Sequence, residues 1–180
     1  MQIMEYNLGF LAGGILAAII GVIFIYILRK YTRTDNATKC KYDERQQLVR
    51  GIGFKYGFFT FIFYNIAAAA LISLRKKQYI DHAALMLIGI FISTFVYAAF
   101  CIWKEGYFSL NENPKRVVVT FAAIALLNFG IGWLSYLRGL MFENGMLTSH
   151  CVNFLCGILI ILLFPVMAAK HISKQKEEEE

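Results

Sequence analysis

KYDERQQLVRGIGFKYGFFTFIFYN occupies residues 41–65, and its character changes halfway along its length. Its first ten residues are mostly charged or carry amides, whereas no charged residue occurs between Tyr56 and Leu74. A helix of about 20 apolar residues is long enough to cross the hydrocarbon core of a bilayer. The stretch therefore predicts a polar helix start followed directly by a membrane span.

Five segments without Asp, Glu, Lys or Arg are long enough to cross about 30 Å of hydrocarbon as helices. They are residues 7–28, 56–74, 82–103, 117–137 and 151–169. The 180-residue chain is 58% hydrophobic and 17% charged, whereas soluble domains are roughly 45–50% apolar and about 25% charged. We therefore predict an all-α integral membrane protein with five transmembrane helices, forming a single membrane domain over residues 1–180.

The basic residues predict the orientation of insertion, because short loops rich in Lys and Arg stay in the cytoplasm. The first connection, residues 29–55, carries eight of the 18 Lys and Arg residues. The first connection, the third connection and the tail lie on one predicted side of the membrane and carry 14 Lys and Arg residues. The other side carries four. We expect the N-terminus outside and the C-terminus inside, with a basic cytoplasmic loop at 29–55 and an acidic tail at 170–180.

Asp43-Glu44-Arg45-Gln46 has the features of a helix start. Asp43 and Gln46 are three residues apart and can form an approximate capping box, with Asp in place of Ser or Thr. Glu44 then lies in the first turn, where a negative charge suits the helix dipole. We predict a short amphipathic cytoplasmic helix at residues 43–52 on the membrane surface, which turns into the second span near Gly51, Gly53 and Gly57.

The sequence Asp43-Glu44-Arg45-Gln46 before a glycine-containing apolar helix resembles a motif of small multi-pass bacterial membrane proteins of unknown function. The resemblance covers residues 41–60. It implies a bacterial inner-membrane location and no particular chemistry.

The same segment is also a candidate docking surface. Residues 29–55 carry eight bases and three acids, and each juxtamembrane base is attracted to anionic lipid by about 1 kcal/mol. Either the segment is only a well-capped helix start, or it binds lipid headgroups, a partner protein or the chain's other cytoplasmic loops. The candidate docking residues are Asp43, Glu44, Arg45, Gln46 and Arg50. Nucleic acid is not an expected partner, because retention in the cytoplasm already explains the charge.

A stripe of small residues in the first span, Gly9, Gly13, Ala17 and Gly21, recurs every fourth position. Residues four apart lie on one helix face, so another helix can approach this stripe closely. We expect it to be a packing face, either for a neighbouring span or for a second copy of the protein in a homo-oligomer.

Two amides, Asn65 and Asn128, lie near the middle of their spans. An unpaired amide in hydrocarbon is costly, so we expect both to face other helices. They could hold helices together or, with Tyr97, line a path for a neutral or lipophilic solute. The absence of ionisable residues from the spans argues against a proton relay.

Four side chains, Asp81, His82, His150 and Cys151, are predicted at the outer ends of the third and fifth spans. His and Cys with Asp could bind zinc, and a Cys–His pair could act as nucleophile and base. Polar residues at span ends usually only mark the membrane boundary, so we assign no catalytic, metal or cofactor site.

Three functional hypotheses follow. The first is a non-enzymatic accessory, regulatory or oligomer-forming membrane component, with the bilayer, anionic lipid headgroups and another membrane protein or copy as partners. The second is a small transporter or pore for a neutral or lipophilic solute. The third is a membrane enzyme that uses His82, His150 and Cys151. We expect no cofactor.

Overall fold

The computed structural model describes residue 15 and residues 19–35, 39–74 and 78–179. Residues 19–32 form the described part of helix α1. The elements that follow are α2 (Glu44–Leu74), α3 (His82–Trp103), α4 (Pro114–Leu137), the strands β1 (Phe142–Glu143) and β2 (Met146–Leu147), a 3₁₀ helix (Ser149–Cys151) and α5 (Val152–Glu179).

Four helical segments in the described part of the chain are long and apolar enough to cross a membrane. They are Glu44–Leu74, His82–Trp103, Pro114–Leu137 and Ser149–Lys176. Within the most apolar 18 residues of each segment, no more than 28% of the residues are buried inside the protein. Large exposed apolar surfaces mark a membrane or partner interface, so the helices are consistent with a membrane location.

The first predicted span, residues 7–28, lies mostly outside the described residues. Its described part, residues 19–28, is helical. Of the small-residue stripe, Gly9, Gly13 and Ala17 lie outside the described residues. At Gly21, no atom of the described chain lies within 4 Å of an added Cβ, so the packing face stays a prediction.

The chain divides into two compact units. The first consists of Met1–Lys41 with Asn111–Thr120, and the second of Tyr42–Leu110 with Phe121–Glu180. In the first unit, the segment after α1 pairs with the segment before α4, through an antiparallel bridge between Arg33 and Glu112.

Helix α2 runs without interruption from Glu44 to Leu74. The predicted separate short helix at residues 43–52 is therefore wrong as an element of its own, and most of the predicted loop at 29–55 is helical. Two of the three glycines that suggested a turn, Gly53 and Gly57, instead lie against α3. A Cβ added at Gly53 would lie 2.8 Å from Cys101 Sγ, and one added at Gly57 would lie 3.1 Å from the Ser93 carbonyl oxygen.

Helix α3 occupies the centre of the second unit, because it packs against both α2 and α5. Gly53 and Gly57 are four residues apart and form one small face of α2, which allows α3 to approach closely. On the α5 side, Ala98 and Ile102 of α3 form a buried cluster with Leu163.

Aromatic rings fill the notches left by other glycines. The Tyr64 ring of α2 covers Gly89 of α3, and its hydroxyl donates a hydrogen bond of 2.8 Å to the Leu85 carbonyl. Phe154 of α5 lies against Gly132 of α4, and Phe129 of α4 lies against Gly157 of α5. Phe129 and Phe154 also contact each other edge to face, with ring centroids 5.6 Å apart.

A two-stranded hairpin adds a small β element to the predicted all-α fold. Phe142 pairs with Leu147 and Glu143 with Met146. The turn residues Asn144 and Gly145 both have positive φ, 51° and 74°, as an Asn-Gly type I′ turn requires.

The other predicted span bounds agree closely with the structure. The predicted span 82–103 coincides with α3, and the predicted span 117–137 lies within α4. The C-terminal helix is longer than expected, because α5 continues past Pro165 to Glu179 and includes most of the predicted acidic tail.

We expect Gly89→Ala to lower the stability of the detergent-solubilised protein by about 1–3 kcal/mol, the usual cost of overpacking. A Cβ at this position would overlap the Tyr64 ring at Cδ1, and the hydrogen bond of Tyr64 to Leu85 holds the ring in place. Thermal unfolding would measure the change.

The matched control is Gly130→Ala in α4, where no atom of the described chain lies within 4 Å of an added Cβ. Alanine should stabilise that helix by roughly 0.5–1 kcal/mol. Equal effects of the two substitutions would contradict the proposed packing of α2 on α3.

Candidate functional site

The start of α2 contains the predicted capping box. The Gln46 N–H donates to Asp43 Oδ1 at 2.6 Å, and the Asp43 N–H donates to Gln46 Oε1 at 3.4 Å. Glu44 is the acidic residue of the first turn. The predicted capping box therefore forms, and whether the segment also binds a partner stays a prediction.

Gln46 also binds the loop that follows α3. Its Nε2 donates to the Glu105 carbonyl at 3.2 Å and to the Phe108 carbonyl at 3.1 Å. Only 6% of Gln46 is exposed. The buried Gln46 side chain thus caps the start of α2 and also donates hydrogen bonds to two loop carbonyls. We call residues 42–50 with loop residues 104–108 the α2–loop junction.

Charged groups surround this junction. Arg45 Nη1 donates to the Lys104 carbonyl at 3.1 Å, and Arg45 Nη2 lies 3.6 Å from Glu105 Oε2. The other oxygen of Glu105 lies 3.4 Å from Lys170 Nζ. Glu105 therefore links the start of α2 to α5 through two partly exposed ion pairs, each worth about 0–1 kcal/mol.

The loop conformation at the junction depends on two residues. Glu105 has a φ of 59°, an uncommon conformation for a residue with a side chain. A Cβ added at Gly106 would lie 2.6 Å from Val49 Cγ1, so only glycine lets the loop contact α2 here. The Gly106 N–H donates to the Cys101 carbonyl at 2.7 Å and closes the end of α3.

A second polar cluster, in the first unit, surrounds Asn111, which is 5% exposed. Its Nδ2 donates to Asp35 Oδ1 at 3.1 Å and to the Lys39 carbonyl at 3.0 Å, while its Oδ1 accepts from the Lys41 N–H at 3.1 Å. Lys41 Nζ also lies 2.8 Å from Asp35 Oδ2. The cluster fixes the basic loop on the segment that leads into α4.

A thiol lies in the same unit. Arg33, which is 1% exposed, donates from Nη2 to Cys40 Sγ at 3.0 Å. The thiol lies 4.0 Å from Glu112 Oε1. Sequence reasoning missed Arg33, Asn111 and Glu112, because their loops are far apart in the chain.

The four predicted outer residues do not form a metal site. Cys151 is buried in an apolar cluster with Ala84 and Met141. His82 Nε2 lies 3.1 Å from Gln78 Nε2, and His150 is exposed. Asp81 donates its N–H to the Leu147 carbonyl at 2.8 Å. Within residues 19–35, 39–74 and 78–179, no group of three or more His, Cys, Asp or Glu side chains could hold a metal ion.

The two intramembrane amides bind their own helices. Asn65 Nδ2 donates to the Phe61 carbonyl at 2.7 Å, and Asn128 Nδ2 donates to the Ile124 carbonyl at 2.9 Å. Both side chains are half-buried, and their expected contact with other helices stays a prediction. In a helix, the carbonyl four residues earlier is within reach of a short polar side chain. The hydrogen bond to it offsets the cost of removing the amide from water.

An apolar groove of about 420 Å³ runs between α2 and α3. Aromatic rings dominate its walls, and Tyr97 is the one residue of the predicted solute path that lines it. The lining residues are Phe54, Gly57, Phe58, Phe61, Ile90, Ser93, Thr94 and Tyr97.

No protein-family model matches the chain, and no curated protein or solved structure matches it. The contacts of the chain itself are therefore the basis for a functional proposal.

We expect Gln46→Leu to loosen the α2–loop junction. Two carbonyls would lose a buried donor, which costs about 1–3 kcal/mol. Trypsin should then cleave after Lys104 about tenfold faster, since about 1.4 kcal/mol corresponds to a factor of ten. Limited proteolysis in detergent measures this rate.

Gln47→Leu is the matched control, because Gln47 is exposed and its side chain donates only to the Tyr42 carbonyl within its own segment, at 3.2 Å. Cleavage after Lys104 should keep the wild-type rate in this variant. A Gln46→Leu protein as resistant as wild type would show that the junction is not held by this amide.

Proposed function

We propose that the chain is a non-enzymatic accessory or regulatory component of a bacterial inner membrane, with the α2–loop junction as part of its docking surface. In this proposal it crosses the membrane five times, with the N-terminus outside and the C-terminus inside. Support for the orientation comes from the basic residues, 14 of which fall on the proposed inner side and four on the outer side. Support for the location comes from the resemblance of Asp43-Glu44-Arg45-Gln46 to small bacterial membrane proteins.

The observation that carries this proposal is the distribution of side-chain hydrogen bonds in the second unit. Within the helices, apart from Tyr64, whose hydroxyl reaches α3, short polar side chains donate to carbonyls of their own helix four residues earlier. The residues that do so include Thr60, Asn65, Ser73, Ser93, Thr94, Asn128 and Ser135. At the α2–loop junction, by contrast, Arg45 and Gln46 bind a different segment. The junction is thus a fixed surface at the end of the helices, which suits docking.

Exposed bases of residues 29–55 give the proposed inner side its positive charge. Arg29, Lys30, Lys39 and Lys55 are exposed, and each base near the surface attracts anionic lipid by about 1 kcal/mol. An acidic partner segment would be attracted in the same way. The charge therefore fits a partner or a lipid surface rather than a buried reaction centre.

The transport hypothesis has one observation in its favour, the groove between α2 and α3 that Tyr97 lines. Asn65 and Asn128 do not line it, so the predicted solute path is not assembled by the described residues. The enzyme hypothesis needs Cys151 as its nucleophile. Cys151 lies in the apolar cluster and is only 4% exposed, which disfavours that role.

Neutralising the exposed loop bases tests the proposed function. We expect a variant with Arg29, Lys30, Lys39 and Lys55 all changed to Gln to lose most of its recovery of crosslinked membrane partners and anionic lipid. The bases at Lys104, Lys115 and Arg116 remain and should preserve the orientation. Affinity purification from crosslinked membranes, with quantitative mass spectrometry of proteins and lipids, provides the measurement.

The matched control changes the four bases of the proposed outer side, Arg75, Lys76, Lys77 and Arg138, to Gln. This variant should recover partners and lipid as the wild type does. Unchanged recovery with the loop variant, or equal losses with both variants, would contradict a docking role for the inner face.

A further inference from the structure

We propose that the groove between α2 and α3 holds one acyl chain of an anionic phospholipid, with the lipid phosphate bound by the Arg50 guanidinium. The inference rests on the proposed membrane location and orientation, and it gives the lipid a defined site on the inner side of the protein.

The groove walls favour an apolar occupant. Phe54, Phe58 and Phe61 form one wall, and the facing α3 residues include Ser93 and Thr94. The two hydroxyls already donate to the carbonyls of Gly89 at 2.7 Å and Ile90 at 2.8 Å. The wall therefore offers hydrocarbon rather than hydrogen-bond donors, which suits an acyl chain.

Gly57 gives the groove its depth. A Cβ added at Gly57 would lie 3.1 Å from the Ser93 carbonyl oxygen and 3.3 Å from Tyr97 Cβ. Phe54 and Phe61 are seven residues apart on α2, so the groove extends about 10 Å along the helix. The groove runs parallel to α2, and an acyl chain packed beside a membrane helix runs in the same direction.

Arg50 lies on the same face of α2 as the groove. It precedes Phe54 by four residues and Gly57 by seven, and these spacings place the three on one side of a helix. The rise per residue places the Arg50 Cα about 6 Å before that of Phe54. The Arg50 guanidinium packs 4.2 Å from the centre of the Tyr42 ring, so it points away from the hydrocarbon.

No carboxylate of the described residues neutralises the charge of Arg50. Arg45 and Lys170 share Glu105, and Lys41 contacts Asp35, but among the described residues no carboxylate forms an ion pair with Arg50. A guanidinium donates two parallel hydrogen bonds to a phosphate. A cation above an apolar groove is complementary to an anionic phospholipid.

Native mass spectrometry of the detergent-purified full chain tests this site with two synthetic lipids that have the same acyl chains, phosphatidylglycerol and phosphatidylcholine. We expect wild type to bind the first phosphatidylglycerol about fivefold more tightly than phosphatidylcholine, which corresponds to the about 1 kcal/mol per base near a lipid surface. Arg50→Gln should abolish this preference, and Arg50→Lys should retain most of it.

The matched charge control is Lys115→Gln, since Lys115 is an exposed base of the proposed inner side and is not among the groove residues. It should keep the fivefold preference. Equal losses in Arg50→Gln and Lys115→Gln would overturn the proposal in favour of general surface attraction, and so would wild-type preference in Arg50→Gln.

A second variant tests the acyl chain separately. Thr94→Phe places a ring in the groove and should weaken binding of both lipids several-fold. Leu126→Phe adds a ring on α4, where Leu126 is 73% exposed, and should change neither lipid. Wild-type binding by Thr94→Phe would overturn the groove as the site. The quadruple Gln variant that tests the proposed function keeps Arg50. Its recovery of membrane partners is therefore independent of the lipid binding measured here.

Discussion

Hydrocarbon offers no hydrogen-bond partner, and this constraint determines where the chain can place its polar contacts. Along α2, α3 and α4, hydroxyl and amide side chains bind carbonyls of their own helix, as Thr60, Thr94 and Asn128 do. Side-chain contacts between distant segments are concentrated at helix ends, where Gln46 reaches the loop after α3 in the second unit. Tyr64 is an exception, because its hydroxyl reaches across to α3.

Within the membrane, lipid covers apolar side chains as well as protein does, so close packing rather than burial holds helices together. On α2, Gly53 and Gly57 allow close packing against α3. Between α4 and α5, the rings of Phe129 and Phe154 pack closely against each other. These contacts leave a groove beside Gly57 that the protein does not fill. The same small residue thus brings the helices together and creates the candidate lipid site.

Much of the fold follows from local sequence. The Asp43–Gln46 capping box and the bounds of α3 were predictable, because caps and apolar runs depend on residues close together in the chain. The hydrogen bonds of Asn65 and Asn128 to their own helices were not predictable, because a sequence gives the position of an amide but not its rotamer. The glycines of α2 were expected to mark the turn into the second span, whereas Gly53 and Gly57 permit the close approach of α3.

The remaining features needed the folded chain. The loop carbonyls of Glu105 and Phe108 become partners of Gln46 only after α3 reverses the direction of the chain, about 60 residues later in the sequence. Likewise, Asn111 binds Asp35 across a long separation in the first unit. By contrast, the hairpin at Asn144-Gly145 carried a local turn signal, and sequence reasoning could have found it.

The central claim is that charge-free helices cross the membrane with the basic loops inside. Single cysteines introduced as Glu143→Cys, Phe63→Cys and Lys174→Cys, in a chain whose four natural cysteines are replaced, test it with a membrane-impermeant maleimide. All three positions are exposed in the structure, so protein burial does not explain a lack of labelling. The account predicts labelling of Glu143→Cys in intact cells, labelling of Lys174→Cys only after the membrane is opened, and none of Phe63→Cys in either case. Labelling of Phe63→Cys in the intact bilayer, or of Lys174→Cys from outside, would contradict it.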